Sequence, residues 1–218
     1  MSRRTAVAGL LLTAGTLALT ACQPTAGSAA FVGGQRITDR QLQAEVTEGL
    51  DQNGVRDAIA QQSGGDIGEF RRGVLYREIQ NLLVAEAARR TGAAVPDAEV
   101  QQLIDISGGM DRIRARNGMS AAVVTREARD ELLIAELGYT QGSVPRPVDG
   151  RDLRLPGAQQ SISAAMQVGQ GYLVQLAVEL GVRTDPRYGV WNPRALRVDA
   201  YANPVVRLAQ RPARPPLL

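Results

Sequence analysis

The chain has 218 residues with a formal net charge of +3, and every basic residue is arginine. It contains no histidine, which excludes histidine-dependent serine and cysteine catalysis and removes the commonest zinc ligand. Part of the positive charge comes from Arg3 and Arg4, and aromatic residues are only 4%, so the composition does not favour nucleic-acid or carbohydrate binding.

The first 22 residues follow the pattern of a bacterial lipoprotein signal. Arg3 and Arg4 precede residues 5–19, which are all apolar or small and fall short of the roughly 20 residues of a membrane span. Residues 19–22 read Leu-Thr-Ala-Cys, a lipobox that ends in the only cysteine. We therefore expect a signal peptide over 1–21 and acyl chains such as palmitate on Cys22. An ordinary signal peptide with a chance cysteine and an uncleaved anchor helix are the alternatives, and the export route, Sec or twin-arginine, is open.

The mature chain divides by composition into a tether, one domain and a tail. Residues 22–29 are small and polar and are expected to form a lipidated tether. Residues 30–199 carry the periodic apolar pattern of one domain, which a stretch rich in proline, glycine and charge interrupts at 142–157. That stretch predicts a linker, and residues 200–218, rich in proline and arginine, predict a mobile tail.

The domain is expected to open with a strand at 30–32, a tight turn at Gly33-Gly34 and a second brief strand. Thr38 and Gln41 match a capping box, in which each residue satisfies a backbone N–H of the other. A helix is therefore predicted to start at Thr38. Its apolar stripe consists of Leu42, Val46 and Leu50.

The broadest apolar stripe lies at about 67–90, which predicts a central and deeply buried helix. Asp66 and Glu69 have the spacing of a second capping box at its start. Further helical segments are expected from Asp97 to Gly108-Gly109, at 110–117 and at 121–138.

After the linker, a helix is expected at 159–180 and a strand at 182–184. Short isolated strands are not stable alone, so this strand is predicted to pair with the first strand, near 30–32. Trp191 or Tyr188 is predicted to pack over the helices and hold the late segment down. The alternative is that both rings are exposed and bind a partner.

The sequence contains no glycine-rich phosphate loop of the Walker or dinucleotide-binding type. Its aspartates and glutamates are spread along helical faces, where we expect them to be solvated. A carboxylate-pair hydrolase is an alternative that the residues alone do not exclude. We therefore predict that the chain is not an enzyme and has no catalytic residue, cofactor or metal site.

Several short motifs, in this order, resemble SurA-type periplasmic chaperones and PrsA-type foldases. Residues 34–38 read Gly-Gln-Arg-Ile-Thr, similar to the turn that leads into the first helix of that family, although Gln-Arg replaces its usual acidic residue. The other similar motifs lie at 95–100, 117–120, 126–137 and 186–191. Together the resemblance covers about residues 29–139 and 160–192.

The resemblance implies a mainly α chaperone core of about five helices, with a small β pairing between the N-terminal strand and a C-terminal strand. Many members of this family carry a parvulin-type prolyl isomerase domain between the two parts of the core, where this chain has only residues 142–157. The implied function is a membrane-anchored extracytoplasmic holdase, which binds apolar segments of unfolded exported polypeptides without isomerase catalysis. The alternative is a small-ligand-binding or structural envelope lipoprotein with the same fold. The resemblance identifies no client-binding residue.

Overall fold

The computed structural model describes residues 27–52, 54–117, 119–142, 144–146 and 153–201. The described part is mainly helical, with seven α-helices and five short strands. It has more than the expected five or so helices because Val55–Ser63 and Met110–Asn117 each form a separate short helix.

A three-stranded antiparallel sheet joins the two ends of the described chain. Strand β1 (Ser28–Val32) pairs with β2 (Gln35–Thr38) on one edge and with β3 (Arg183–Thr184) on the other. In the second pairing, Ala30 lies opposite Thr184. The predicted pairing between the first strand and the late strand is confirmed.

Strand β1 begins inside the segment that the sequence assigns to the tether. Ser28 and Ala29 are only 1% and 0% exposed. The Asp185 N–H donates to the Ala29 carbonyl at 2.9 Å, which extends the contact with the returning chain beyond β3. Small residues of this kind do not distinguish a strand from a tether, so only the pairing decides that they are buried.

Helix α1 (Asp39–Leu50) starts with the predicted capping box. The Gln41 N–H donates to Thr38 Oγ1 at 3.1 Å, and the Thr38 N–H donates to Gln41 Oε1 at 2.8 Å. The predicted stripe of α1, which is Leu42, Val46 and Leu50, is buried. Helix α2 (Val55–Ser63) follows and is less buried.

Helix α3 (Gly68–Thr91) is central, as its broad stripe predicts. Its buried residues are Val74, Leu75, Ile79, Leu83, Val84 and Ala87. The capping box predicted at Asp66 and Glu69 is wrong, because the helix begins at Gly68 and Ile67 occupies the N-cap position. The Gly68 N–H instead donates to Asp66 Oδ1 at 2.7 Å.

Helices α4 (Asp97–Ile106), α5 (Met110–Asn117) and α6 (Ala121–Gln141) enclose a second apolar cluster. Its buried members are Val100, Ile104, Ile113, Val124, Ala128, Leu132 and Leu153. Helix α6 also contributes Ile134 and Leu137 to the main core, so it connects the two clusters.

Helix α7 (Pro156–Leu180) lies against α6 at two glycines. A Cβ atom at Gly138 would overlap the Ala165 carbonyl oxygen, and one at Gly169 would overlap the Ile134 carbonyl oxygen. Glycine lacks a Cβ, so it allows the two helix backbones to approach this closely at both points.

The end of the predicted linker belongs to the domain. Leu153 is 3% exposed and packs in the second cluster, and its N–H donates to Gln102 Oε1 at 3.3 Å. Helix α7 starts at Pro156, earlier than the predicted residue 159, since proline suits the first turn, where its missing N–H is not needed. The predicted linker, 142–157, therefore extends too far, because its last residues from Leu153 onwards belong to the domain.

A hairpin of β4 (Val190–Asn192) and β5 (Arg197–Asp199) closes the described chain. Trp191 is 9% exposed and belongs to the main core, and Tyr188 is half-buried against it. The backbone N–H of Trp191 donates to Thr184 Oγ1 at 3.1 Å, which links β4 to β3. The predicted packing of Trp191 is confirmed.

Candidate functional site

A groove runs across the surface where α3, α6 and α7 meet. Its central cavity has a volume of about 420 Å³. Helix α3 contributes its less buried, polar face, while α6 and α7 contribute apolar and acidic residues. The lining includes Tyr76 and Arg77 from α3, Asp130, Glu131 and Ile134 from α6, and Met166 from α7.

A smaller cavity adjoins the central one on each side. One, of about 210 Å³, shares Tyr76 and Ile134 with the central cavity and continues along α7 to the turn of the β4–β5 hairpin, at Leu196. The other, of about 150 Å³, shares Glu127 and Glu131 with it and leads to α4 and α5. The three cavities form one groove from the hairpin turn to the second apolar cluster.

Arginines of α3 and α6 bridge the two helices beside the central cavity. Arg77 Nε lies 3.3 Å from Glu127 Oε1, and Arg126 Nη2 lies 3.2 Å from Glu78 Oε1. A second carboxylate, Glu45 of α1, lies 3.9 Å from the same Arg126 nitrogen. These partly exposed pairs hold the wall of the groove in place, although each contributes little to stability.

Asp130 lies at the base of this wall and is only 8% exposed. Burial raises the pKa of its carboxyl to about 7, against the opposing effect of the nearby Arg126 guanidinium. In the amide orientation that satisfies its neighbours, Asn81 donates to Asp130 Oδ2 at 2.5 Å and accepts from Arg126 Nε at 3.1 Å. Asn81 thus connects the buried carboxyl to the arginine that bridges the helices.

Glu127 and Glu131 of α6 face the same cavity. Partial desolvation by the surrounding helices raises the pKa of both carboxyls, and the Arg77 guanidinium partly offsets this for Glu127. Glu131 is exposed at the groove and makes no ion pair with any residue that the structure describes. The central cavity therefore contains three carboxyl groups and one guanidinium, that of Arg77.

The expectation that the acidic residues lie on solvated helix faces is wrong for Asp130. Asp130 comes seven residues after Val123 and four before Ile134, both of which are buried. The helical period thus places it on the inward face of α6, and this spacing was the available signal. The groove itself had no counterpart in the sequence, since it depends on how three helices meet.

Cys22, the one site residue that the sequence predicts, lies outside the described residues, so its lipidation stays a prediction. In the ranges that the structure does describe, no helix is long and apolar enough to cross a membrane. The same ranges contain no group of three or more acidic, histidine or cysteine residues placed to hold a metal ion.

Comparison with known proteins identifies the family. The family model for the SurA-like N-terminal domain matches residues 6–137, which extend from the predicted signal peptide to the last turns of α6. No curated protein and no solved structure matches the chain. The predicted resemblance to SurA-type chaperones is confirmed over more than half of the chain, while the similarity to PrsA-type foldases stays a prediction. The chain belongs to the family of SurA-like N-terminal domains, which implies a chaperone-like role outside the cytoplasm.

Proposed function

We propose that this protein is a membrane-anchored extracytoplasmic holdase, which binds apolar segments of unfolded exported polypeptides and has no isomerase activity of its own. The observation that carries the proposal is the family match over residues 6–137. The lipobox that ends at Cys22 supports the membrane attachment. The lipid would hold the domain where polypeptides emerge from the export machinery.

The groove supports this function because a holdase needs no reactive group. It needs a concave surface with apolar walls that accepts many sequences through shallow contacts. Ile134 and Met166 line the central cavity, and the apolar lining continues along α7 with Leu173 and Val174. Methionine adapts its side chain to different partners, which suits a site for varied clients.

One observation favours a second function. The central cavity of about 420 Å³ has the size of a small-molecule site, which supports the alternative of a small-ligand-binding envelope lipoprotein. The adjoining cavities at both sides favour the polypeptide, because a site for one small molecule does not need to continue to the hairpin turn and to α4.

The test is suppression of aggregation by residues 23–218, which contain every described element. A chemically denatured client is diluted into buffer with increasing amounts of this protein, and light scattering is followed. We expect less scattering at a few-fold molar excess, with weak dependence on which client is used. No suppression at several-fold excess would contradict the proposal and favour the small-ligand or structural alternative.

A further inference from the structure

We propose that the central cavity of the groove binds the cationic side chain of an arginine or lysine in a client segment whose neighbouring residues are apolar. This inference rests on the proposed function, because it assigns the class of polypeptide that the same groove selects. The groove as a whole would accept an apolar segment, and the cavity would determine where along that segment the positive charge lies.

The charges around the central cavity favour a cation. Arg77 is already paired with Glu127, at 3.3 Å. Asp130 is buried beneath the cavity, and Glu131 is exposed at its edge without an ion pair among the described residues. An acidic group in a concave and partly desolvated site attracts a cation more strongly than the same group on an open surface.

Glu131 has the best position to contact such a cation. It lines both the central cavity and the smaller cavity towards α4, so a side chain that enters at the junction of the two passes it. Tyr76 lies on the opposite helix and lines the same cavity. Aromatic rings bind guanidinium and ammonium groups favourably.

The lining beside the cation site is partly apolar. Ile134 and Met166 adjoin the carboxylates in the central cavity, and Leu196 of the hairpin turn lines the cavity on one side. Such walls suit aliphatic residues before and after the cationic residue, and they exclude water from the ion pair that Glu131 would make.

The end of the groove at the hairpin turn has the opposite charge. Arg194 is the one charged residue of the described chain that lines the cavity there, whereas Glu127 and Glu131 accompany Arg116 in the cavity at α4 and α5. A cationic residue is therefore favoured at the centre of a bound segment and disfavoured at the end that lies at the hairpin turn. This dependence on position separates the proposed site from general attraction between an acidic protein surface and a basic peptide.

Fluorescence anisotropy with four labelled peptides tests the proposal on residues 23–218. The first has arginine at the centre of a short leucine- and valine-rich segment, and the second has citrulline there, which keeps the shape but not the charge. The third has glutamate at the centre, and the fourth has arginine moved to one end. We expect the first to bind about fivefold to tenfold more tightly than the others, as charge-assisted hydrogen bonds do over neutral ones.

A matched pair of variants locates the site. Glu131→Gln should remove most of the preference for central arginine and leave citrulline binding nearly unchanged. Glu48→Gln removes an exposed carboxylate from α1, away from the groove, and should retain the full preference. Equal binding of the arginine and citrulline peptides, or an unchanged preference in Glu131→Gln, would overturn the proposal.

The aggregation assay separates this inference from the proposed function. If aggregation is suppressed without any preference for central arginine, only the cation site is refuted. If neither aggregation is suppressed nor any peptide bound, the holdase function fails and the inference with it.

A last experiment uses a chain that ends at Tyr201. Residues 202–218 contain Val-Val-Arg-Leu at 205–208. Tighter binding after their removal would assign the groove to the protein's own segment and overturn the assignment to clients.

Discussion

At the scale of single residues, the buried carboxyl of Asp130 has the clearest physical consequence. A group whose pKa is raised in the folded state binds a proton more readily there than in the unfolded chain. For Asp130 this difference extends from its ordinary pKa of 3.8 to about 7. In that window the folded state holds the extra proton, so stability falls as the pH rises through it. Glu78, Glu127 and Glu131, whose pKa values are also raised by partial desolvation, act in the same direction.

Replacing Asp130 by asparagine should therefore stabilise the folded protein more at high pH than at low pH. We expect the stability of Asp130→Asn relative to the wild type to rise between pH 5 and pH 8, by at most about 3 kcal/mol. The charged groups facing Asp130 are Arg126, Glu127, Arg129 and Glu78. Urea unfolding at a series of pH values measures this, with Glu48→Gln, which removes an exposed carboxylate from α1, as the control. A difference that is constant with pH, or one that grows towards pH 5, would contradict the assignment.

Cys22 is the other residue with a specific expected outcome. The lipobox predicts that Cys22→Ala cannot be acylated, because the thiol that accepts the lipid is gone. The variant should be secreted or retained as a precursor, with no incorporated fatty acid. Metabolic labelling with a fatty acid checks this, and labelling of the variant equal to that of the wild type would refute the lipoprotein assignment.

At the scale of elements, the contact between α6 and α7 depends on glycine. Helix α7 contains two glycines, Gly169 and Gly171, within its central turns, which weakens it as an isolated helix. Gly169 allows the helix backbone to meet the Ile134 carbonyl, whereas the space around Gly171 is open. The cost in helix propensity is thus offset by close packing at one glycine and not at the other.

Two alanine substitutions in the same helix separate these effects. Gly169→Ala should destabilise the protein by about 1–3 kcal/mol, because the added methyl group forces α6 and α7 apart. Gly171→Ala meets no atom within 4 Å and should be neutral or stabilise by up to about 1 kcal/mol, through helix propensity. Thermal or chemical unfolding of both variants measures the difference. Equal effects of the two substitutions would show that the close approach of the helices is not required.

At the scale of the whole molecule, residues inside the matched family segment pack and pair with residues that lie beyond it. Residues 6–137 match the family, yet β1 within that segment pairs with β3, which lies far beyond it. Trp191 and Leu173, also beyond it, belong to the same core as Leu42 and Leu75. The folded unit therefore includes α7 and the late strands, and a fragment that ends at 137 would expose apolar surface on α6.

The same organisation bears on catalysis. In the many members of the family that carry an isomerase domain, the resemblance places it between two parts of the core, and here the corresponding stretch lies between α6 and α7. We expect no acceleration of prolyl isomerisation, since lowering a barrier of about 18–20 kcal/mol requires a preorganised pocket around the proline. The measurement is a refolding reaction limited by proline isomerisation. Faster refolding at substoichiometric amounts of this protein would contradict the prediction, whereas slower refolding at excess is the expected result of client binding.

Local patterns in the sequence determined most of the elements and the family. The capping box at Thr38 and Gln41, the buried stripe of α3 and the late strand were all predictable, because each depends on neighbouring residues or on the helical period. The same is true of the order of motifs that resembles SurA-type chaperones. The failed capping box at Asp66 shows the limit of this approach, since a shift of the helix start by one residue changes every cap position.

Only the tertiary structure decided where the groove lies and which charges face it. Ser28 lies opposite Thr38 of β2, and the Ala29 carbonyl accepts from the Asp185 N–H of the returning chain, so contacts with other segments bury both residues. Asp130 and Glu131 are neighbours in sequence, yet one is buried and the other exposed, since α3 and α7 cover only one side of α6. The cavity between these helices arises from how far apart their backbones lie, which depends on contacts such as those at Gly138 and Gly169. The distances between helix backbones are set by packing between segments far apart in the sequence. The residue pattern of a single segment therefore does not predict them.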